Sequence, residues 1–320
     1  MSPLLEIRRD PTGGARGLGL CAVVHDEMFF LPEFLRHYRA LGVARFIFLD
    51  DASTDGTAEF LGDQPDCVLV GSPYRYFDKV EGARAIYAWR QALLDGFCRD
   101  QWAIFADADE FLALPAGVGV ADVIARLTAA GSDSVWGVMV DLYPERITPA
   151  GPFRVDGDWF FDARPHLYAR PGWKKPMTLY RGSRARLLAE HRISERKGAL
   201  RAAALRLGLG GFLKVNNLAK APLVRWTAGH RFDGSHRVVP PPTVGDILAI
   251  MHFKFAGDLG RKVAYALDTK GYEGGSRQYQ LMGELLARME AEGRDFLGRG
   301  SRRLTSPADL YAAGVGRWNA

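Results

Sequence analysis

Short apolar runs alternate with helical stretches in the first part of the chain, and this alternation constrains the fold more than any other feature. The runs are Leu18–Val24, Phe46–Leu49, Cys67–Val70 and Trp102–Ala106. Between them, apolar residues recur at the spacing of one helix face, as from Phe30 to Leu41. Strand–helix–strand order with short polar joints predicts an α/β fold, a mostly parallel sheet flanked by helices.

Polar clusters directly follow three of these predicted strands. They are His25–Glu27, Asp50–Asp55 and Asp107–Glu110. In open sheets of this kind, ligands bind in a crevice at the carboxyl ends of the strands. The sequence therefore predicts one crevice that gathers all three clusters.

Asp107 and Asp109 are separated by a single residue at a strand end, so strand alternation predicts that both side chains share one face. Two neighbouring carboxylates stay ionised most readily with a cation between them. Mg²⁺ and Mn²⁺ prefer a few carboxylates together with phosphate oxygens. The pair therefore predicts a metal-bound diphosphate; the alternative is a solvated turn with two adjacent acids.

The segment from Asp50 to Gly56 resembles the start of a calcium loop, but its twelfth position, counted from Asp51, is Gly62 instead of the glutamate that binds calcium. A calcium loop is therefore excluded. Asp50, Asp51 and Asp55 instead suit hydrogen bonds to a base or a ribose. The alternative is a well-capped turn between a strand and a helix.

These motifs together resemble the family-2-like glycosyltransferases with a GT-A fold, in the subgroup with a DxDEF signature. The resemblance covers about residues 17–256, and members commonly have Asn where this chain has Asp26. It implies a GT-A-like (Rossmann-like) sheet and sugar transfer from a nucleotide diphosphate sugar to an acceptor, usually with inversion. The matching segments are Val23–Glu27, HYRALGVARFIFLDDASTDGT, WAIFADADEFL, KAPLVRW, Gly234–His236 and AIMHFKF.

The resemblance also implies roles for single residues. Glu27, Asp50 or Asp51 would hold the nucleoside. Asp107 and Asp109 would hold the ribose, a divalent cation (Mn²⁺ or Mg²⁺) and the diphosphate of the donor.

Later residues extend this predicted site. GT-A enzymes often take a further metal ligand from beyond the two aspartates, and we expect His252 first and His236 second. Lys79, Arg84 and Lys254 are candidates to offset the diphosphate charge. Each of these histidines could equally be a core residue, and each cation a surface residue.

Inverting transfer needs a carboxylate that takes the proton of the acceptor hydroxyl. The resemblance places it well after the two aspartates. Asp162 is the first candidate, because it follows an aromatic run that could form a sugar platform, and Asp141 is the second. Glu145 and Asp158 are further candidates.

The net charge of +5 is unevenly distributed. Residues 1–115 hold 11 Lys and Arg against 18 Asp and Glu, a net of −7, and the remainder holds 31 against 19, a net of +12. An acidic half suits metal ions, and a basic half suits phosphates, acidic glycans or an anionic membrane surface. We expect a loose arm over 1–16, a nucleotide-sugar-binding core over 17–150, and an acceptor-side and helical extension over 151–320.

A basic stretch at 181–206 predicts peripheral contact with an anionic membrane, where a lipid-linked or glycan acceptor would also lie. A solvated helix or a site for an acidic glycan would explain it equally well. The alternative to an enzyme is a basic protein that binds anionic glycan, membrane or nucleic acid, although no nucleic-acid module is recognisable. The cations of the stretch at 181–206 are Arg181, Arg184, Arg186, Arg192, Arg196, Lys197, Arg201 and Arg206.

Other classes fit less well. Phosphatases with a strand-end aspartate nucleophile need Thr or Val soon after the second aspartate, where this chain has Glu110 and Phe111. Nucleotidyltransferases need a Gly-rich loop after the first strand, where this chain has His25–Met28. The first ten residues have no apolar core before their first charges, so we expect no signal peptide, and three widely spaced cysteines suggest a reducing compartment. We therefore expect a cytoplasmic protein, with the inner face of the membrane as its site of peripheral contact.

Overall fold

The structure is a computed structural model. It describes residues 2–147, 151–162, 167–168, 177–178, 182–193, 218–234 and 236–319. Within these ranges, no helix is both long enough and apolar enough to cross a bilayer.

The strands, in chain order, are β1 (Glu6–Arg9), β2 (Gly19–Val24), β3 (Arg45–Asp50), β4 (Cys67–Gly71), β5 (Lys79–Val80), β6 (Ala83–Arg84), β7 (Gln101–Phe105), β8 (Glu110–Ala113), β9 (Ser134–Asp141), β10 (Trp159–Asp162), β11 (Leu167–Tyr168), β12 (Met177–Thr178), β13 (Ala219–Trp226), β14 (Arg231–Asp233), β15 (Arg237–Val239), β16 (Ile247–His252) and β17 (Ser301–Leu304). The helices are α1 (Leu31–Ala40), α2 (Thr57–Gly62), α3 (Ala85–Phe97), α4 (Val120–Ala129), α5 (Gly182–Glu190), α6 (Leu259–Thr269), α7 (Glu273–Ala291) and α8 (Ala308–Ala312).

Nine strands form one large sheet in the order β1-β4-β3-β2-β7-β13-β9-β16-β8. Strands β4, β3, β2 and β7 are mutually parallel, as the sequence predicts. Strand β13 is antiparallel to both of its neighbours, and β9 and β16 run parallel to each other. Strands β1, β8 and β13 run opposite to the other six. As a result, β8 and β13 begin at the edge of the sheet where β2, β3, β7, β9 and β16 end.

Helices cover both faces of this sheet because its strands are apolar on both sides. Alternate residues of β2 separate cleanly: Leu20 and Ala22 pack in the cluster that includes α1 and α4, whereas Cys21 packs in the cluster that includes α3. Helix α1 buries Phe34 and Tyr38, and α3 buries Trp89. The predicted α/β architecture with helices on both faces is therefore confirmed.

Helix α1 ends at Ala40, two residues before Gly42. Gly42 has a φ of 87°, a left-handed conformation that glycine adopts without steric cost. The next amide, of Val43, donates to the carbonyl of Tyr38 at 3.0 Å and closes the helix end. This cap directs the chain into β3, whose carboxyl end reaches the crevice.

Three expectations need correction. Residues 1–16 are not a loose arm throughout, because Glu6–Arg9 pairs antiparallel with β4. The sheet is mixed, because four of the eight pairings in its described strands are antiparallel. It is also not confined to residues 17–150, since β13 and β16 lie inside it. Both strands are apolar and buried, which suits an interior position.

The C-terminal residues add a separate apolar cluster beside the sheet. It joins Tyr143, two residues after β9, to α5, α6 and α7 through Leu187, Leu259 and Leu285. This packing holds α6 and α7 over the carboxyl edge of the sheet. Side chains of both helices consequently line the cavities described next.

Candidate functional site

Two cavities meet at the carboxyl edge of the sheet. The near compartment, about 220 Å³, is bounded by the ends of β2 and β3 and by α6. The far compartment, about 510 Å³, is bounded by the end of β9, the start of α3 and α7. Asp107, Arg90, His252 and Lys254 line both compartments and mark their junction.

The near compartment gathers the first two predicted polar clusters. His25, Glu27 and Asp51 line it, and the His25 ring donates from Nδ1 to the carbonyl of Asp51 at 2.8 Å. Asp26, which has a φ of 53°, accepts a hydrogen bond from the Thr54 amide at 2.6 Å. Asp26 therefore connects the loop after β2 to the loop after β3, and it does not line the compartment.

Asp107 is held by two cations. Its carboxylate lies 3.0 Å from Arg90 of α3 and 3.4 Å from the Lys220 ammonium of β13. Lys220 also forms a short ion pair with Glu110. The Glu110 carboxylate in turn accepts a hydrogen bond from the Asp107 amide at 3.1 Å. Although enclosure raises the pKa of Asp107, Lys220 and Arg90 outweigh it and lower that pKa to about 2. Asp107 is therefore ionised at neutral pH.

Asp109 and Glu27 share one cation, Lys262 of α6. The Lys262 ammonium lies 3.0 Å from Glu27 and 3.9 Å from Asp109. Burial raises the pKa of Glu27 to about 7, against the opposing effect of Lys262. Burial by itself would raise the pKa of Asp109, but Lys262 and His252 hold that pKa well below its usual range.

His252 lies between two carboxylates because β16 pairs with both β8 and β9. The register places His252 opposite Glu110 of β8 and opposite Asp141 of β9. Its Nδ1 donates to Asp141 at 2.7 Å, and its Nε2 lies 3.6 Å from Asp109. Burial lowers the pKa of His252, but the two aspartates raise it to about 9.

The predicted site residues Asp50, Asp55, Lys79 and Asp162 line neither compartment. Asp50 is buried against Arg8 of β1 at 3.1 Å, because adjacent residues at the end of a strand point to opposite sides. Asp55 accepts from the amides of Met28 and Thr57, both at 3.0 Å, and Lys79 is exposed.

The placement of Asp162 corrects its assignment as the first candidate base. It is buried and accepts hydrogen bonds from the Tyr143 hydroxyl at 2.8 Å and from Arg186 at 2.9 Å. Glu145 and Asp158 line another cavity, of about 570 Å³, outside the cleft. Asp141 alone of the four candidate bases lines the far compartment, and it is engaged by His252.

Arg84 and Lys254 line the far compartment, as does His236. Burial lowers the pKa of His236 to about 3, so this ring is neutral at pH 7. The Lys254 ammonium lies 5.6 Å from the centre of the Tyr279 ring. The structure therefore brings two of the three predicted cations to the site.

The basic stretch at 181–206 lies mostly outside the described residues. Of its eight cations, Arg184, Arg186 and Arg192 are described. Arg184 is buried, and Arg186 pairs with Asp162 and Glu190. These two arginines face the protein, so they do not form the exposed basic face that membrane contact requires.

Sequence reasoning missed the cations that hold the acidic residues. Arg90 and Lys262 lie in segments with no distinguishing pattern. Lys220 does carry a signal, because it is the one charged residue before Arg225 in an otherwise apolar strand. A lone lysine in a buried strand indicates a buried carboxylate partner, which here is Glu110.

The side chains fit a divalent cation in part. No three His, Cys, Asp or Glu side chains in the described ranges form a group that could hold a metal ion. Asp109 and His252 are adjacent, whereas Asp107 is occupied by Arg90 and Lys220. Two protein ligands are compatible with an ion that completes its coordination with phosphate oxygens and water.

Comparison with known proteins gives one informative similarity. No protein-family model matches the chain. A glycosyltransferase family 92 protein of Ricinus communis is 25% identical over 136 residues, which cover 41% of this chain and 24% of that protein. This similarity supports glycosyl transfer in general, and the family-2-like and GT-A assignments stay predictions. By sequence, then, the chain is distantly similar to a glycosyltransferase.

Proposed function

We propose that this chain is a glycosyltransferase of the GT-A type, which moves a hexose-type sugar from a nucleotide diphosphate sugar to a glycan or lipid-linked acceptor. One observation carries the proposal: Asp107 and His252 line both compartments where these meet, and Asp109, which lines the near compartment, lies 3.6 Å from His252. Transfer between two substrates needs two binding spaces and a reactive junction. The distant similarity to a glycosyltransferase agrees with this arrangement.

The near compartment suits the nucleoside. Asp51 lines it and offers a carboxylate that already accepts the Tyr76 amide at 3.2 Å. Tyr265 lies beside His25, with ring centres 4.9 Å apart, and provides an aromatic surface for a base. We therefore assign the base and ribose to this compartment.

The junction suits the diphosphate. We propose that Asp109 and His252 hold a divalent cation, Mn²⁺ or Mg²⁺, together with the phosphate oxygens of the donor. Such a cation would neutralise the charge that develops on the departing diphosphate. Lys254 and Lys262 line the same space and would add positive charge there.

We propose that Asp141 is a positioning residue and not the base. Its carboxylate accepts the Nδ1 proton of His252, which directs Nε2 of the ring toward Asp109. A carboxylate behind a metal-binding histidine fixes the orientation and tautomer of the ring. The far compartment, which Asp141 lines, is left for the transferred sugar and the acceptor.

A screen of UDP-, GDP- and dTDP-sugars with Mn²⁺ tests the function through release of the nucleoside diphosphate. We expect release from one nucleotide class, loss with EDTA, and a loss of at least about a hundredfold in Asp109→Asn. Asp156→Asn is the matched control, since Asp156 is exposed and lies outside both compartments. Equal nucleotide affinity of the unmodified protein with and without EDTA would contradict the metal role.

A further inference from the structure

Asp51, whose carboxylate lines the compartment that we assign to the base and ribose, already contacts a cation of the chain itself. Its Oδ1 atom lies 3.2 Å from Nε of Arg75, which belongs to the β4–β5 loop, residues 72–78. The next residue of this loop, Tyr76, donates its amide to the other oxygen, Oδ2, at 3.2 Å. Two consecutive residues of one loop therefore hold both oxygens of Asp51.

The contact with Arg75 neutralises charge but does not complete the hydrogen bonding of the carboxylate. The side chain of Asp51 is only 5% exposed, and its Oδ1 atom has no hydrogen-bond donor among the described residues. The side chain of Arg75 is 51% exposed, and an ion pair with so exposed a cation contributes little. A ligand that brings a well-directed donor to this buried oxygen would gain the hydrogen bond that Arg75 does not make.

The near compartment is small while Arg75 is in place. Arg75 contacts Asp51 but does not line the compartment, so the cavity ends at this carboxylate. Its volume of about 220 Å³ is below the roughly 300–1,000 Å³ that is usual for small-molecule pockets. Withdrawal of the guanidinium group would uncover Asp51 and enlarge the cavity at this end.

The β4–β5 loop is anchored independently of this guanidinium group. The ring centres of Tyr76 and Phe77 lie 5.6 Å and 5.2 Å from that of Tyr272, just before α7. The Phe77 ring also packs on the backbone of Gly271, where a Cβ atom would lie 2.6 Å from it. The Arg75 side chain can therefore leave its partner while the loop keeps its place.

We propose that Arg75 competes with the nucleobase of the donor for Asp51, so that donor binding replaces the guanidinium group with an N–H group of the base. The Watson–Crick edge of uracil, thymine or guanine presents such a donor. This inference rests on the proposed function and adds a competitor that is built into the donor site. Arg75 withholds Asp51 from any ligand that brings no donor of its own.

Calorimetry with UDP, GDP and dTDP in the presence of Mn²⁺ tests the inference on the unmodified protein and on Arg75→Met. Methionine keeps most of the side-chain stem and cannot donate a hydrogen bond. If Asp51 is free in about one molecule in ten, the apparent dissociation constant is raised about tenfold, and Arg75→Met should remove this factor. Loss of a positive charge by itself weakens the binding of an anionic ligand, so tighter binding indicates that Asp51 has been freed.

Three controls separate this competition from other effects. Pyrophosphate has no base, and its affinity for Arg75→Met should be unchanged or reduced by at most about twofold, which also confirms folding. Lys79→Gln removes a charge from the exposed residue that follows the loop, and it should alter neither affinity. In the Asp51→Asn background, Arg75→Met should bring no gain, because the contested carboxylate is absent.

Three results would overturn the inference alone: unchanged or weaker nucleoside diphosphate binding by Arg75→Met, an equal gain for pyrophosphate, or a gain that persists in the Asp51→Asn background. Failure of both the unmodified protein and Arg75→Met to bind any of the three nucleoside diphosphates would instead overturn the proposed function, and the inference with it. The first titrations therefore distinguish the two failures.

Discussion

Lys220→Met should destabilise the protein, because it leaves Glu110 buried without its cation. The side chains of Lys220 and Glu110 are each only 3% exposed. Methionine keeps most of the length of the lysine side chain, so the packing beside the Phe105 ring is retained. Asp107 suffers less, because it is 37% exposed and keeps Arg90 at 3.0 Å. The loss of stability therefore comes mainly from the buried carboxylate of Glu110, which is left without a cation.

The magnitude follows from the choices open to Glu110. Breaking a buried ion pair by removing one partner costs about 3–5 kcal/mol when the remaining group stays charged. Protonating a carboxyl whose ordinary pKa is 4.5 costs about 1.4 kcal/mol per pH unit above that value. At pH 7 this route costs about 3.4 kcal/mol, so protonation sets the upper limit. We expect a loss of about 3 kcal/mol.

The sign of the pH dependence provides an internal check. Burial raises the pKa of Glu110 even with Lys220 present, and removing the lysine raises it further. The folded variant then binds a proton that the unfolded chain has released, so its stability falls as pH rises above 4.5. The loss relative to the unmodified protein should shrink to about 1.4 kcal/mol at pH 5.5.

Urea unfolding followed by circular dichroism at pH 7 and pH 5.5 measures these differences. The variant Lys220→Met with Glu110→Gln should recover most of the loss, because the amide is neutral and its oxygen still accepts the Asp107 amide. Lys79→Met, on an exposed residue, is the control. The reasoning is refuted by a loss below about 1 kcal/mol at pH 7, by a loss independent of pH, or by a double variant as unstable as the single one.

Three further predictions follow from individual contacts. Burial lowers the pKa of His37 from 6.5 to about 4, so between these pH values the unfolded chain binds a proton that the folded chain does not. The free energy of unfolding therefore falls as pH drops from 6.5 to 4. His37→Gln, which can still donate to the Leu112 carbonyl, should flatten this decline in unfolding measured at pH 7, 6 and 5. Asp141→Asn should reduce the Mn²⁺ affinity and the turnover of the folded protein about 10–100-fold, and unchanged Mn²⁺ affinity would exclude its positioning role. Asp162→Asn should lower the free energy of unfolding by about 3–5 kcal/mol, because its ion pair with Arg186 is lost. The turnover of the folded fraction should stay near that of the unmodified protein. A drop in turnover of about a hundredfold would restore Asp162 as a catalytic candidate.

Local sequence pattern predicts the first half of the fold well. The predicted strand ends at Val24, Leu49 and Ala106 lie within one residue of the ends of β2, β3 and β7. These boundaries are local, because apolar runs, helix spacing and turn residues are all set by near neighbours in the chain. The same reasoning predicts one crevice, and the structure does gather Glu27, Asp51, Asp107 and Asp109 around the near compartment.

Neighbouring strands cannot be predicted in this way. Arg8 lies in a polar segment, yet β1 pairs with β4 and its arginine takes Asp50 away from the cleft, so two adjacent aspartates have different environments. Asp162 follows the aromatic run that suggested a sugar platform, but β10 packs against β17 and buries it beside Arg186. Both outcomes depend on partners more than 20 residues distant in sequence.

The sequence by itself determined the α/β pattern, the polar clusters at the strand ends and the candidate pair Asp107 and Asp109. Only the tertiary structure decided which cations meet those acids. Lys220 reaches Glu110, and His252 reaches Asp141, because β13 and β16 insert between strands from much earlier in the chain. The physical reason is that side-chain periodicity is a local property, whereas the order of strands is set by long-range hydrogen bonding and by the burial of whole apolar faces.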